Sequence, residues 1–130
     1  MIKTTVILLL LPLFTFSQSQ KSLPDINPVG EYDNISNQKL FSDSLASSFV
    51  IWIKKEVKPH KHLSHSEHVL ILEGEGVMTI GNETFKVSQG DLLFIPKNTV
   101  HSLKTNSDKP VKVLSIQAPE FDGNDRVFVE

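Results

Sequence analysis

The chain has 130 residues, no cysteine and a formal net charge of −2 at pH 7 with histidine neutral. This length suits one domain, and the missing cysteine excludes disulfide bonds and a lipid anchor on cysteine. The mildly acidic balance gives no electrostatic reason to bind nucleic acid or anionic lipid, so we expect neither as a partner.

Residues 1–17 have the pattern of a secretory signal peptide. Lys3 provides a positive start, and the apolar stretch Val6–Phe16 is shorter than the roughly 20 residues that span a bilayer as a helix. Small residues at the −3 and −1 positions predict cleavage before Gln18, with Gln20 as the second choice. We therefore expect a secreted or periplasmic protein without a membrane partner after cleavage. The alternative is an uncleaved N-terminal anchor.

Residues 18–47 are polar and contain prolines and many Asn, Asp and Ser residues. This composition disfavours long helices and strands and predicts an irregular N-terminal arm. Scattered apolar residues indicate an arm laid across the body, with a flexible leader as the alternative. Val29 or Leu40–Phe41 could also form a short edge strand.

From residue 48 to about residue 120 the pattern is all β. Runs rich in β-branched and aromatic residues are separated by Gly, Asn and Pro turns, and no helical periodicity is present. The predicted strands lie at residues 48–55, 67–72, 76–80, 84–87, 92–95, 100–104 and 111–117. Short strands joined in this way predict a small antiparallel barrel or jelly roll. Residues 121–130 form a C-terminal tail, in which 126–129 are either a final strand or a frayed end.

Three residues between Pro59 and Gly74 have the character of metal ligands: His60, His62 and Glu67. His60 and His62 are two residues apart, so both side chains point to the same face of a strand. A short loop then leads to the next strand, and Glu67 approaches the imidazoles if that strand pairs back on the first. Two neutral imidazoles and a carboxylate suit a divalent transition metal.

His101 follows a turn glycine, an apolar strand, a proline and a short loop, and is the candidate fourth ligand. With these four residues, the chain resembles the cupin superfamily over roughly residues 48–120. The first cupin motif, G-x5-H-x-H-x(3,4)-E-x6-G, is matched by His60, His62, Glu67 and Gly74, while Lys54 replaces its leading glycine.

The second motif, G-x5-P-x-G-x2-H-x3-N, is matched by Gly90, Pro96 and His101. Asn98 replaces its second glycine, and asparagine tolerates a positive φ better than most residues. The closing asparagine, Asn106, stands one residue late.

This resemblance implies a small single-domain cupin of the conserved-barrel type, which is a jelly roll. It implies one divalent metal, which could be Mn, Fe, Ni, Co, Cu or Zn, held by His60, His62, Glu67 and His101. A homodimer and a small-molecule ligand or substrate are also expected from the family.

Alternation along the strands predicts which residues form the apolar cup around the metal. Val69, Ile71 and Leu103 share the inward face, with Phe94 and either Trp52 or Ile53 as further candidates. Leu70 and Leu72 point outward, toward the second sheet, the N-terminal arm or a second subunit.

No general acid or base is placed in the cup by spacing, so no catalytic residue is assigned. His65 and His68 are expected to be solvated, and Lys97 is expected to be a solvated loop lysine that could reach an anionic ligand. Three functions remain open. The protein could be a metal-dependent enzyme of oxygenase, isomerase or lyase type, or a non-catalytic module that binds a small ligand or metal. In the third alternative, the metal serves only to stabilise the fold.

Overall fold

The structure is a computed structural model that describes residues 19–129. The predicted signal peptide at residues 1–17 lies outside the described residues. Within the described range, no helical segment has the length and apolar character required to cross a membrane.

Within residues 19–129, ten strands form two five-stranded antiparallel sheets, after one turn of 3-10 helix at Leu23–Asp25. The strands are β1 (Ile35–Ser42), β2 (Ser47–Ile53), β3 (Glu56–His62), β4 (Ser66–Glu73), β5 (Gly76–Ile80), β6 (Glu83–Val87), β7 (Leu92–Ile95), β8 (His101–Thr105), β9 (Val111–Ala118) and β10 (Arg126–Phe128). The first sheet has the order β1-β2-β9-β4-β7 and the second has the order β10-β3-β8-β5-β6. The predicted all-β jelly-roll fold is confirmed.

The hydrophobic core lies between the two sheets, where alternate residues of each strand point inward. Val69, Ile71 and Leu103 are buried there, as their alternation predicts, together with Ile53. Phe94 was expected in this cup and is instead 54% exposed on the outer face. Its neighbour in sequence, Leu93, takes the inward position together with Ile95, so alternation along β7 turns Phe94 outward.

The N-terminal region differs from the expected irregular arm, because residues 35–42 form the eight-residue strand β1. Strand β1 pairs with β2 in a register that sets Ile35 opposite Ile53 and Asn37 opposite Ile51. The possible short edge strand at Leu40–Phe41 lies within β1, whereas the polar residues before it gave no sign of a strand. Backbone pairing with the strongly β-forming β2 outweighs the weak intrinsic preference of an Asn- and Ser-rich segment at a sheet edge.

Strands β3 and β4 do not form the hairpin that the sequence suggested. Strand β3 pairs with β8 and β10, whereas β4 pairs with β7 and β9 in the opposite sheet. The loop between β3 and β4 therefore crosses from one sheet to the other. Consequently, Glu67 faces the histidines across the barrel interior instead of lying beside them.

The C-terminal tail adds strand β10 to the edge of the second sheet. Arg126 pairs with His62, and Phe128 pairs with His60. The candidate final strand is therefore present, and it borders the strand that carries two of the proposed ligands.

Candidate metal centre

The register between β3 and β8 brings two of the histidines together. His60 lies directly opposite His101, and their ring centroids are 4.2 Å apart. The ring of His62 lies 5.1 Å from that of His60 and 5.4 Å from that of His101. Each of the three buried imidazoles offers a nitrogen within 4.8 Å of the other two, so together they can hold a metal ion.

Glu67 reaches this cluster from the opposite sheet. Its Oε2 atom lies 3.4 Å from Nε2 of His101 and 3.7 Å from Nε2 of His62. The structure thus brings all four predicted residues to one end of the barrel interior, with three donors on one sheet and one on the other.

Hydrogen bonds to the backbone indicate which nitrogen of two histidines carries the proton. Nδ1 of His60 lies 2.8 Å from the Lys58 carbonyl oxygen, and Nδ1 of His101 lies 3.0 Å from that of Thr99. A carbonyl oxygen only accepts, so both Nδ1 atoms donate, and in a neutral ring the Nε2 atom then carries the free lone pair. This is the arrangement that outer hydrogen bonds impose on metal-binding histidines.

Glu67 is oriented by two neighbours on β9. The Ser115 hydroxyl donates to Oε1 of Glu67 at 2.5 Å, and Nε2 of Gln117 approaches the same oxygen at 3.4 Å. Both neighbours occupy one oxygen and leave Oε2 directed at the histidines. Neither was singled out from the sequence, although Val113, Ser115 and Gln117 alternate on one face of a recognisable strand.

The buried environment keeps the imidazoles of His60 and His62 neutral. Burial and the neighbouring His101 lower the pKa of His60 from 6.5 to about 4. Burial also lowers the pKa of His62 to about 4, against the opposing effect of the Glu67 carboxylate. Neutral imidazole is the form that binds a metal, so no deprotonation is required at neutral pH.

Glu67 stays ionised in spite of its burial. Burial by itself raises the pKa of a carboxyl group, but the adjacent His101 and the Ser115 hydrogen bond outweigh it and lower the pKa of Glu67 to about 2. The site therefore combines an anionic oxygen with the neutral imidazoles of His60 and His62.

The buried nitrogens that have no hydrogen-bond partner among the described residues include Nε2 of His62 and Nε2 of His101. Leaving a buried polar atom unpaired costs free energy, on the order of 1–3 kcal/mol. Both atoms point toward the free Glu67 oxygen, so a cation bound between them would satisfy all three. The residues present therefore fit a divalent metal.

His65 is not solvated as the sequence suggested, since its side chain is only 1% exposed. Its ring lies 4.1 Å from that of His62, and its Nδ1 is 2.6 Å from Oδ2 of Asp125. Asp125 also accepts from the backbone N–H groups of Leu63 and Ser64, both at 2.9 Å. No local pattern could reveal this contact, because Asp125 is 60 residues away in the chain.

The other two side chains lie where the sequence placed them. His68 is exposed on the outer face of β4, and Lys97 is exposed in the loop before β8 and does not line the cavity. Asn98 has a φ of +60°, as its position in the second motif predicts. Its backbone N–H donates to the His62 carbonyl, so this turn is attached to the strand that carries the first two ligands.

A cavity of about 90 Å³ opens beside the four residues. By a comparable measure, one water molecule needs about 10–15 Å³, so several waters or a small organic ligand can enter. The walls are mainly apolar, and Ile53, Met78 and Ile95 contribute to them. The polar lining outside the metal cluster includes Asn37 and Arg126.

Comparisons with known proteins agree with this fold. The family model described as "Cupin domain" matches residues 49–117. An uncharacterized protein of Aquifex aeolicus is 34% identical over 117 residues, which is 86% of this chain and 96% of that protein.

Two further similarities are more limited. Mannose-1-phosphate guanylyltransferase RfbM of Salmonella typhimurium is 29% identical over 101 residues, which is 78% of this chain but only 20% of that enzyme. A protein of Klebsiella pneumoniae with a double-stranded β-helix domain superposes with a TM-score of 0.73 at 18% identity, over 87% of this chain and 99% of that one. At this identity the structural likeness shows the fold alone. The family match and the Aquifex relative, together with the jelly-roll architecture, show that the chain belongs to the cupin-domain family.

Proposed function

We propose that this cupin domain is exported, binds one divalent transition metal through His60, His62, Glu67 and His101, and acts as a metal-dependent enzyme on a small molecule. The observation that carries the proposal is the convergence of two unpartnered imidazole nitrogens on the free Oε2 atom of Glu67. An oxygenase, isomerase or lyase reaction is compatible with such a centre.

The chain's own residues have distinct tasks in this proposal. The three imidazoles donate lone pairs, and the carbonyl groups behind His60 and His101 hold those rings in the required tautomer. Ser115 keeps one oxygen of Glu67 occupied, so the other faces the cation. When bound, the metal would supply Lewis-acid or oxygen-activating chemistry. The apolar walls would limit the access of water to a bound substrate.

The donor set restricts the metal without selecting one. Three imidazole nitrogens and one carboxylate oxygen suit Mn(II), Fe(II), Co(II), Ni(II), Cu(II) or Zn(II). The absence of a thiolate makes the softest ions poorer candidates, because soft metals prefer sulfur ligands.

One observation favours a second function, a non-catalytic module that binds a small ligand or the metal itself. Apart from the four proposed ligands, the described residues that line the cavity include no carboxylic acid, histidine, lysine or tyrosine that could act as a general acid or base. Metal-dependent turnover of a small molecule would distinguish the enzyme, because a binding module would hold the ligand unchanged. A purely structural metal is disfavoured, since the cavity beside the site is partly open.

We also propose a homodimer, formed through the outer face of the first sheet. Leu92 and Phe94 are 66% and 54% exposed there, and Ile116 is 38% exposed. In the strand register, Phe94 and Ile116 flank His68, and Leu92 lies beside Leu70, so these side chains form one patch. Exposed contiguous apolar surface of this kind is typical of association sites. Sedimentation of wild type beside Phe94→Glu tests the proposal, and a monomeric wild type would refute it.

The first experiment is elemental mass spectrometry on protein purified from its native compartment, beside His62→Ala and the matched control His68→Ala. The control removes an exposed histidine from the outer face of the barrel. We expect close to one equivalent of metal in wild type and control, and almost none in His62→Ala. Absence of metal from all three proteins would refute the proposed site.

Sequencing the N-terminus of the same material tests export, and a chain that retains residues 1–17 would contradict signal cleavage.

A further inference from the structure

Arg126 gives the cavity a charged group that the metal site does not use. It lies in β10 opposite His62, and directly opposed residues of an antiparallel pair project to the same face of the sheet. Phe128 shares this face, and its ring lies 6.0 Å from that of His60. The side chain of Arg126 therefore points toward the ligand histidines, and it lines the same cavity.

The guanidinium group has no anionic partner in the described residues. It takes part in none of their ion pairs or side-chain hydrogen bonds, and Asp125 beside it is occupied by the backbone of the preceding loop and by His65. The Phe121 ring lies beside it, with its centroid 5.9 Å from the guanidinium carbon. An aromatic ring can orient a guanidinium without neutralising it.

The charges of the loaded cavity do not balance. Its only anionic side chain among the described residues is Glu67, and histidines bind a metal as uncharged imidazoles. A divalent cation together with Arg126, whose side chain is exposed where it lines the cavity, would therefore leave an excess of two positive charges there. Such an excess favours the entry of a small anion.

We infer that the natural ligand of this cavity is a small organic anion whose carboxylate or phosphate is bound by Arg126 while another of its polar groups faces the metal. The inference rests on the proposed metal site and adds a substrate class to it. The fork of guanidinium N–H donors matches two oxygens of a carboxylate or phosphate at once. The β10 segment is held by Asp125, so Arg126 is in position before the ligand arrives.

The test is calorimetric titration of zinc-loaded protein with malonate, succinate, glutarate and inorganic phosphate. Wild type is compared with Arg126→Gln, Arg126→Lys and the matched control Lys97→Gln, which removes an exposed positive charge outside the cavity. We expect at least one anion to bind wild type and Lys97→Gln equally, and to bind Arg126→Gln about tenfold to a hundredfold more weakly. Arg126→Lys should fall between, because it keeps the charge but loses the paired donors.

The two sources of the anionic group are distinguished by which probe depends on Arg126: a dicarboxylate indicates a carboxylate substrate, and phosphate alone indicates a phosphorylated one. Equal affinity in wild type and Arg126→Gln, or no binding by any of the four anions, overturns the inference. Metal content of each variant separates the two proposals. Wild type without metal refutes the metal site, and the same titrations on metal-free protein then decide the role of Arg126 independently.

Discussion

The metal-free protein should lose stability on mild acidification, because His60 and His62 are buried as neutral imidazoles. Their pKa values in the folded state are about 4, against 6.5 for an ordinary histidine. Between these values the unfolded chain binds protons that the folded chain does not bind. The free energy of unfolding therefore rises with pH across this window and falls when the pH is lowered through it.

The size of the effect follows from the two pKa values. One histidine shifted in this way loses about 2 kcal/mol of stabilisation between pH 7 and pH 5. The pair gives about 4 kcal/mol as an upper bound, since neighbouring imidazoles titrate as a coupled unit. Glu67 hardly contributes in this range, because its pKa of about 2 affects stability only below its ordinary value of 4.5. A domain is typically stable by only about 5–15 kcal/mol, so the change is measurable.

Urea unfolding in the presence of a chelator, followed by tryptophan fluorescence, provides the assay. Trp52 is the single tryptophan and is only 5% exposed, so its emission reports loss of the fold. The double variant His60→Gln/His62→Gln should lose a large part of the difference between pH 7 and pH 5, while buried His65, whose pKa is also lowered by burial, retains its share. The exposed control His68→Gln should keep the whole difference. The same pH difference in wild type and the double variant would refute the reasoning.

Ser115→Ala removes the hydroxyl that holds Oε1 of Glu67, so chelator competition should show metal affinity reduced by about tenfold to a hundredfold; unchanged affinity would contradict this role. Gly74→Ala should destabilise by about 3 kcal/mol or more, because φ is +80° and the new Cβ would lie 2.7 Å from a backbone carbonyl oxygen. Gly90→Ala, with φ of +95° but no atom within 4 Å, should cost only about 1–2 kcal/mol, and equal losses in urea unfolding would count against the steric argument. Asp125→Asn should speed amide hydrogen exchange in the loop between β3 and β4 without removing metal, and unchanged exchange would show that this carboxylate does not anchor the loop.

The sequence predicted those features that depend on local pattern. Alternation placed Val69, Ile71 and Leu103 in the core, and the two motif stretches identified side chains that do converge. Strand pairing is a non-local choice, so the sequence could not show that β3 and β4 lie in opposite sheets. A hairpin was expected because the loop between β3 and β4 is short. A short loop keeps the ends of the two strands close together, but it does not determine which strand each one pairs with.

The residues that sequence reasoning missed are those whose roles depend on distant contacts. His65 stands in a loop without periodicity, so only its contact with Asp125 shows that it is buried. Arg126 gains its position from the register between β10 and β3, which no local signal specifies. Only the Leu40–Phe41 part of β1 was considered as an edge strand, since the polar residues before it form a strand only because β2 offers an edge.

The placement of the proposed ligands on both sheets has a mechanical consequence. A metal held by His60, His62 and His101 from one layer and by Glu67 from the other would act as a clamp across the gap between the layers. Occupancy would then set how readily the two layers separate, and thus how often the interior becomes accessible to solvent. Binding of the metal would therefore slow the large-scale opening of the barrel, in addition to its role in the proposed reaction. The metal-free protein would be the form most accessible to proteases.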